Sequence, residues 1–529
     1  MASPASPWIL GRWRDLLLFI GPPALIIPSV LAAELLWSGK SIYALVMALG
    51  ALGHHLPGMM RAYGDRALFL RFRTRLILAP LFLLALCAAF GLRAATLAPI
   101  VLLTYLWGVW HGLMQTHGFA RIYDAKAGSF ASLTAHLDRW MCIVWFGAGV
   151  LFSTSRMHHV LQKFYASGGP AIPFGAVEVT RSVWGALTVL VTVAWLVHLA
   201  RAKRRGQPLN PVKLIFLATS IGFWWISNAV VDNLLVGLVL FEIFHDVQYL
   251  AIVWIYNRRR VETDSTVGRF TRFLFRDRRA LVLLYVGLVF AYGALSFVPA
   301  IPGSTVSTLF TATLAASTLL HFYFDSFIWK VREKPTRVGL GLAGGDEIAG
   351  RGTRLGRWGT PALRWAALVV PAAFLAWSSA HPRLTQDESM RALGIAFPTY
   401  PLAQNNLAVF MLAHDDPAGA VRVARRVLAM QTGDADLERK ARENLRWGLV
   451  STGLLNLEHG RTREAEPLLR EARGLDPQLA TFLVQTARES TQRGDHRRAA
   501  LLHRAVLIIE PNDRQLSREQ LESARGTGS

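Results

Sequence analysis

LVLFEIFHDVQYLAIVWIYNRRR, residues 238–260, decides the fold class. Apolar side chains occupy nearly every turn of this run, and Arg258, Arg259 and Arg260 end it. A run apolar on all sides buries as helix, and one of about 20 residues crosses a bilayer. Yet Glu242, His245, Asp246, Gln248 and Tyr249 fall within two turns of it. Ionisable groups at membrane depth are costly, so they need partners and mark a site.

Runs of the same kind recur through the first 380 positions of the 529-residue chain. Read together they predict an all-α protein: a polytopic helical membrane bundle of about eleven spans over 1–380. The spans lie near 16–37, 41–61, 76–92, 95–118, 137–153, 180–201, 211–229, 233–256, 280–298, 304–329 and 362–380. The formal charge is +22, from 57 Lys+Arg against 35 Asp+Glu. These cations sit between spans rather than on a soluble face, which argues against nucleic acid as a partner. Arg12 and Arg14, Arg61 to Arg75, Arg121 with Lys126, Arg201 to Arg205, and Arg258 to Arg276 alternate with cation-poor connections such as Trp37–Ser41. The positive-inside rule then puts the N-terminus in the cytoplasm and the C-terminus outside, in what reads as a bacterial inner membrane. The stretch 331–361, rich in Gly and Arg, reads as a flexible cytoplasmic loop. Cys87 and Cys142 both lie in expected spans, so no disulfide framework is indicated.

The histidines supply the chemistry. Glu242 and His245 are three apart, a spacing that lets a carboxylate and an imidazole of one helix meet one ion, as in carboxylate-bridged di-iron bundles. His111 and Gln115 share a face four apart, as do His321 and Asp325. His54 and His55 are adjacent and point about 100° apart on a regular helix, so one is expected to reach a shared site unless Pro57 and Gly58 loosen the helix enough to turn both rings inward. These histidines come from four separate even-numbered spans, each within about three turns of the arginine-rich end. The set predicts a metal site held by His54, His55, His111, His245 and His321, with Glu242 or Asp325 completing or bridging it. Imidazole and carboxylate suit iron, mono- or dinuclear, with copper and zinc also compatible. Gln115, Gln248 and Tyr249 are the expected residues for orienting ligands and handling protons. The bland reading of the whole set is a proton path or a polar network between helices. His117, His136 and His198 read as interfacial.

From about 400 to 525 the pattern changes to amphipathic helix pairs. Gly460 and Gly494, Ala465 and Ala499, Leu468 and Leu502, and Pro477 and Pro511 are each 34 apart. That period, with small residues where paired helices would pack, resembles tetratricopeptide repeats and implies an extracytoplasmic α-solenoid offering a surface to a protein or peptide partner.

At its histidines the bundle resembles, in architecture, membrane histidine-cluster non-haem iron enzymes: fatty-acid desaturases and hydroxylases, and the bacterial Brp/Blh-type carotene dioxygenases. The HxxxH and HxxHH boxes of desaturases are absent, so the likeness to the dioxygenases rests on histidines spread over several helices, here His55, His111, His245 and His321. The resemblance implies an integral membrane metal-dependent oxidoreductase, oxygenase- or desaturase-like, acting on a lipid or isoprenoid substrate, with a separate electron donor where the reaction needs one. Two rival functions follow from other residues. An envelope glycan or lipid transferase would use Arg156, His158 and His159 in the long outer loop near 154–179. A transporter or envelope scaffold would also place acids and histidines in helices, although no inverted repeat with matched helix breaks is evident.

Overall fold

The computed structural model describes residues 6–94, 97–263, 267–298, 304–329 and 354–511, together with Thr336, Leu340 and Leu342. Among them every regular element is a helix. The chain divides into two units, Met1–Pro170 with Gly175–Arg383, and Ala171–Phe174 with Leu384–Ser529.

The first unit is built from α1 (Pro22–Glu34), α2 (Gly39–Val46), α3 (His55–Gly64), α4 (Arg66–Ala94), α5 (Ala98–Lys126), α6 (Ser132–Leu151), α7 (Thr154–Ala166), α8 (Phe174–Arg204), α9 (Pro211–Trp225), α10 (Leu234–Thr263), α11 (Arg279–Gly293), α12 (Thr305–Ile328) and α13 (Arg354–Ala380). A π-helical turn, Met47–Leu52, joins α2 to α3, and another, Leu16–Ile20, precedes α1. Among the described residues, seven helices are long and apolar enough to cross a membrane, and the bent pair Arg12–Ile20 and Pro22–Glu34 makes an eighth if it is one span. They are compatible with an integral membrane protein. On α8, Val179, Val183, Val189, Leu190, Val193 and Leu196 all point outward, an apolar face that water does not favour.

The remaining spans of the expected eleven are not among those seven or eight. Helices occupy 98–126 and 132–151, but the first carries His111, Gln115, His117, Arg121 and Asp124 and the second Asp138 and Arg139, which lower their hydropathy. Near 362–380 the apolar part is the shorter stretch Val369–Ala380. Helix α13 also begins at Arg354, inside the loop expected over 331–361; most of that loop lies outside the described residues.

Helix α12 packs on α3, α4 and α5, and α10 packs on α1, α2 and the π-helical turn before α3. The α4–α12 contact is a continuous apolar seam through Leu76, Ala79, Leu83, Ala316, Leu319 and Phe327. This leaves the polar residues of α10 and α12 to face the same interior space from opposite sides. A separate ion cluster ties α5, α6 and α9 together. The Lys213 ammonium lies 2.9 Å from Asp124 and 2.9 Å from Asp138, Arg121 donates to Asp124 at 2.6 Å, and the Trp195 indole donates to Asp138 at 2.8 Å. Lys213 and Asp138 are fully buried, and their charges balance.

The second unit contains α14 (Gln386–Ala396), α15 (Pro401–Ala413), α16 (Pro417–Ala429), α17 (Ala435–Glu458), α18 (Thr462–Leu475), α19 (Leu479–Gln492) and α20 (His496–Ile509). It starts at Leu384, earlier than the boundary near 400 read from the sequence. A capping box of Thr385 and Glu388 opens α14. The 34-residue spacing has a physical counterpart. Gly460 and Gly494 both take positive φ, +75° and +79°, at the turns entering α18 and α20, where a side chain would be strained. Ala465 and Ala499 are fully buried one turn later, where larger side chains would push neighbouring helices apart.

Candidate metal centre

Five imidazoles from α3, α5, α10 and α12 and the turn preceding α3 meet in the interior of the first unit. His54, His55, His111, His245 and His321 are all buried. Ring centroids lie 4.5 Å apart for His54 and His321, 4.7 Å for His111 and His321, 5.1 Å for His54 and His245, and 5.1 Å for His111 and His245. His54 Nε2 stands 3.0 Å from His321 Nε2, which stands 3.2 Å from His111 Nε2.

Those contacts fit a shared cation better than neutral rings. His54 Nδ1 lies 2.7 Å from Asp246 Oδ1 and 3.2 Å from the Gly50 carbonyl, both acceptors. Its ring proton therefore belongs on Nδ1, and its Nε2 presents a lone pair to His321. One proton on His321 Nε2 cannot serve both His54 and His111. Two nitrogens bound tetrahedrally to one zinc-like ion, each at about 2.0–2.1 Å, stand about 3.3 Å apart, close to the separations seen here. His321 Nδ1 is buried and has no hydrogen-bond partner among the described residues.

Three overlapping groups offer ligand atoms within 4.8 Å of one another: His54, His245 and His321; His111, His321 and Asp325; and His54, Glu242 and Asp246. These buried histidine groups could hold a metal ion. Asp325 also accepts hydrogen bonds from the Tyr249 hydroxyl at 3.2 Å and the Trp329 indole at 3.1 Å, and lies 3.8 Å from His321 Nε2. Glu242 is the more distant acid, 4.0 Å from His54 Nδ1.

The helix is interrupted at His54, which caps α3 two residues after the π-helical turn with ψ near −7°, so the regular 100° step between the adjacent histidines does not apply. Both rings turn inward: His54 enters the cluster, and His55 stacks on His321 at 4.7 Å. His55 Nδ1, however, is 3.1 Å from the Ser317 hydroxyl, and His55 belongs to none of the three ligand groups. Gln115 and Gln248 work mainly as pins between helices. Gln115 donates to the His245 carbonyl at 3.1 Å and to Gln248 at 3.3 Å, and Gln248 donates to the Phe19 carbonyl at 2.9 Å. Tyr249 is held against the cluster, 5.2 Å from the His321 ring.

Sequence reasoning did not single out Asp246 as the partner of His54, nor Ser317 and Trp329 as supports. It also missed two glycines that let the acids close in. A Cβ on Gly50 would lie 2.4 Å from Asp246 Oδ2, and one on Gly58 2.8 Å from the Tyr249 hydroxyl. Glycine two to four residues from a buried histidine on a helix is the signal that was available.

The residues of the rival transferase reading lie elsewhere. The stretch expected as an outer loop near 154–179 begins with helix α7. Arg156 on it is fully buried, donating to Asn228 Oδ1 at 2.9 Å and to the carbonyls of Leu234 at 2.6 Å and Ser227 at 3.0 Å. His158 is buried too, and His159 packs on the Tyr105 ring at 5.5 Å. His136 is exposed and bonded to Ser132, and His198 meets Thr134 at 2.9 Å, away from the cluster. Compared with protein-family models, curated proteins and solved structures, the chain matches none of them.

Proposed function

We propose that this chain is an integral membrane metal-dependent oxidoreductase of the bacterial inner membrane, acting on a lipid or isoprenoid substrate at an iron centre held by His54, His111, His245 and His321 with Asp325. The observation that carries the reading is that His321 Nε2 stands 3.0 Å from His54 Nε2 and 3.2 Å from His111 Nε2. A nitrogen-rich set with one or two carboxylates and no thiolate suits iron over Cu(I). Bound there, iron would supply dioxygen chemistry.

The chain's own residues prepare the site. Asp246 fixes the His54 tautomer, Tyr249 and Trp329 hold Asp325, and Gln115 and Gln248 lock α5 and α10 in register. Aromatic rings exclude water: Phe322 stacks on His111 at 4.8 Å, and Phe241 lies 6.5 Å from His245. The arginine-rich connections orient the N-terminus to the cytoplasm and the C-terminal unit outside, where its helix pairs receive a protein or peptide partner.

Elemental analysis of the full chain purified in detergent tests the reading. Iron at one or two equivalents per chain supports it and reads the nuclearity. A folded protein that takes up no iron, copper or zinc, even on reconstitution, refutes the metal centre, and zinc alone refutes the redox role. The His321→Ala form should lose the metal, because His321 is shared by two of the ligand groups.

A further inference from the structure

The connection between α10 and α11 carries a face that the bundle leaves uncovered. A short helix, Arg269–Leu274, lies in it. Its inner side is fixed. Leu274 is fully buried, and Phe275 packs on Trp254 and Tyr285 at ring separations of 5.1 Å and 5.5 Å. Gly268 and Thr271 meet Gly64 at the end of α3: a Cβ on Gly268 would come within 3.3 Å of the Gly64 carbonyl, and one on Gly64 within 3.5 Å of the Thr271 hydroxyl. The outer side of the helix therefore has a set direction.

That outer side joins apolar rings to cations. Phe270 is 55% exposed and Phe273 44%. Three residues apart, the two rings share one side of the helix. Arg269, Arg272 and Arg276 are exposed beside them, and the Arg276 guanidinium carbon lies 5.2 Å from the Phe273 centroid. Over 267–279 the chain has five arginines and one acid, Asp277. Asp277 is already committed, 2.7 Å from Arg258 on α10. Arg269, Arg276, Arg278 and Arg279 are exposed and make no ion pair among the described residues. Bare phenyl rings ringed by unpaired cations suit neither water nor hydrocarbon. They suit the boundary between the two, where rings enter the acyl region and guanidinium groups meet phosphate. The position of the helix agrees with this. It stands between two helices that are long and apolar enough to cross a membrane, where one leaves after Arg258, Arg259 and Arg260 and the next begins at Arg279.

We propose that the segment 269–279 is a docking surface for anionic phospholipid of the membrane in which the bundle sits. Phe270 and Phe273 are its apolar anchors, and Arg269, Arg276 and Arg278 meet the phosphate groups. Charge complementarity selects the anionic headgroup, whereas the rings hold any acyl chain alike. The surface is independent of the metal centre and rests on the reading of the first unit as a membrane bundle.

The full chain in detergent is titrated with phosphatidylglycerol and, separately, with phosphatidylcholine, and retained lipid is read by native mass spectrometry. Tighter retention of phosphatidylglycerol is expected. Each arginine near an anionic headgroup contributes about fivefold, so Arg269→Gln, Arg276→Gln and Arg278→Gln together should weaken phosphatidylglycerol by up to about a hundredfold and leave phosphatidylcholine unchanged. Phe270→Ser with Phe273→Ser should weaken both lipids by the same factor. If the arginine variant misfolds, added salt carries the same test on the wild type, since it should weaken phosphatidylglycerol alone. Arg201→Gln, Lys203→Gln and Arg204→Gln at the end of α8 remove as much exposed charge and should leave the preference in place. An equal loss in that control, or a wild type with no preference between the lipids, overturns the proposal. So does self-association that the two Phe→Ser changes abolish without any lipid preference, which would assign the face to a second copy. A chain that stays in solution without detergent or lipid would refute the membrane reading itself, and this proposal with it.

Discussion

Replacing Gly58 with alanine tests how the cluster is held. The added Cβ would lie 2.8 Å from the Tyr249 hydroxyl, 3.5 Å from Asp325 Oδ1 and 3.6 Å from His321 Nδ1. The last two are ordinary contacts, whereas the first is short of one by roughly half an ångström, so the hydroxyl must move. Moving it breaks its 3.2 Å hydrogen bond to Asp325. Overpacking of this kind costs about 1–3 kcal/mol, and a hydrogen bond to a carboxylate about 1.5–3 kcal/mol, so a loss of about 2.5–6 kcal/mol is expected. Because Asp325 loses a support, metal affinity should fall about 10- to 100-fold as well. The assay is a double-mutant cycle on thermal unfolding and metal affinity in detergent, with Gly58→Ala, Tyr249→Phe and both together. Tyr249→Phe removes the atom that the methyl group strikes, so in that background Gly58→Ala should cost less than about 1 kcal/mol. An equal cost in both backgrounds would refute the claim that glycine is there to admit the phenol.

Three further outcomes follow from the same geometry. His54→Ala should abolish metal binding, while His55→Ala, whose Nδ1 faces Ser317, should retain the metal with weakened affinity, read by elemental analysis of the two purified variants. Lys213→Met should destabilise the first unit by about 3–5 kcal/mol in a thermal scan, because it strands the buried Asp138 carboxylate and leaves Asp124 with Arg121 alone, and Lys213→Met with Asp138→Asn should recover much of the loss. In the second unit, hydrogen bonds from Lys440 and then Arg439 hold the Asp436 carboxyl down at about 2, against an ordinary 3.8. A depressed acid stabilises the fold above its unfolded pKa, so this contribution is complete above pH 3.8, fades as pH falls towards 2, and should vanish from the pH dependence of unfolding in Asp436→Asn.

The long apolar helices were legible because their fitness to cross a membrane depends on nothing but length and hydropathy. The depth of the histidines was legible for the same reason: position along a helix is linear in sequence. That is why His54, His111, His245 and His321 could be grouped from four separate segments, and why their rings do meet. What was not legible depends on rotation and on local departures from regular helix. No residue pattern marks Met47–Leu52 as π-helical or breaks the helix at His54, yet the segment enters α3 through that irregular stretch, with both His54 and His55 inward. The Glu-x-x-His spacing favoured Glu242, whereas the acid nearest His54 is Asp246, one helical turn further on, admitted by Gly50. Arg156 looked like a loop residue because its neighbours are polar, but its donors satisfy the carbonyls where α9 ends and α10 begins. The count of spans is the clearest difference. Helices α5 and α6 exist, but the polar residues that build the ion cluster and the metal centre take them below the hydropathy of the others.

The ion cluster of Asp124, Asp138 and Lys213 bears on biogenesis. The two acids leave the ribosome first, and their lysine follows 75 residues after Asp138. Until it arrives, Asp124 on α5 has only Arg121 and Asp138 on α6 lacks its lysine, so the two helices are poor candidates for release into lipid one at a time. The translocation machinery would have to retain them until α9 emerges, so nascent chains stalled before residue 213 should stay cross-linkable to the insertase, and chains stalled well after it should not.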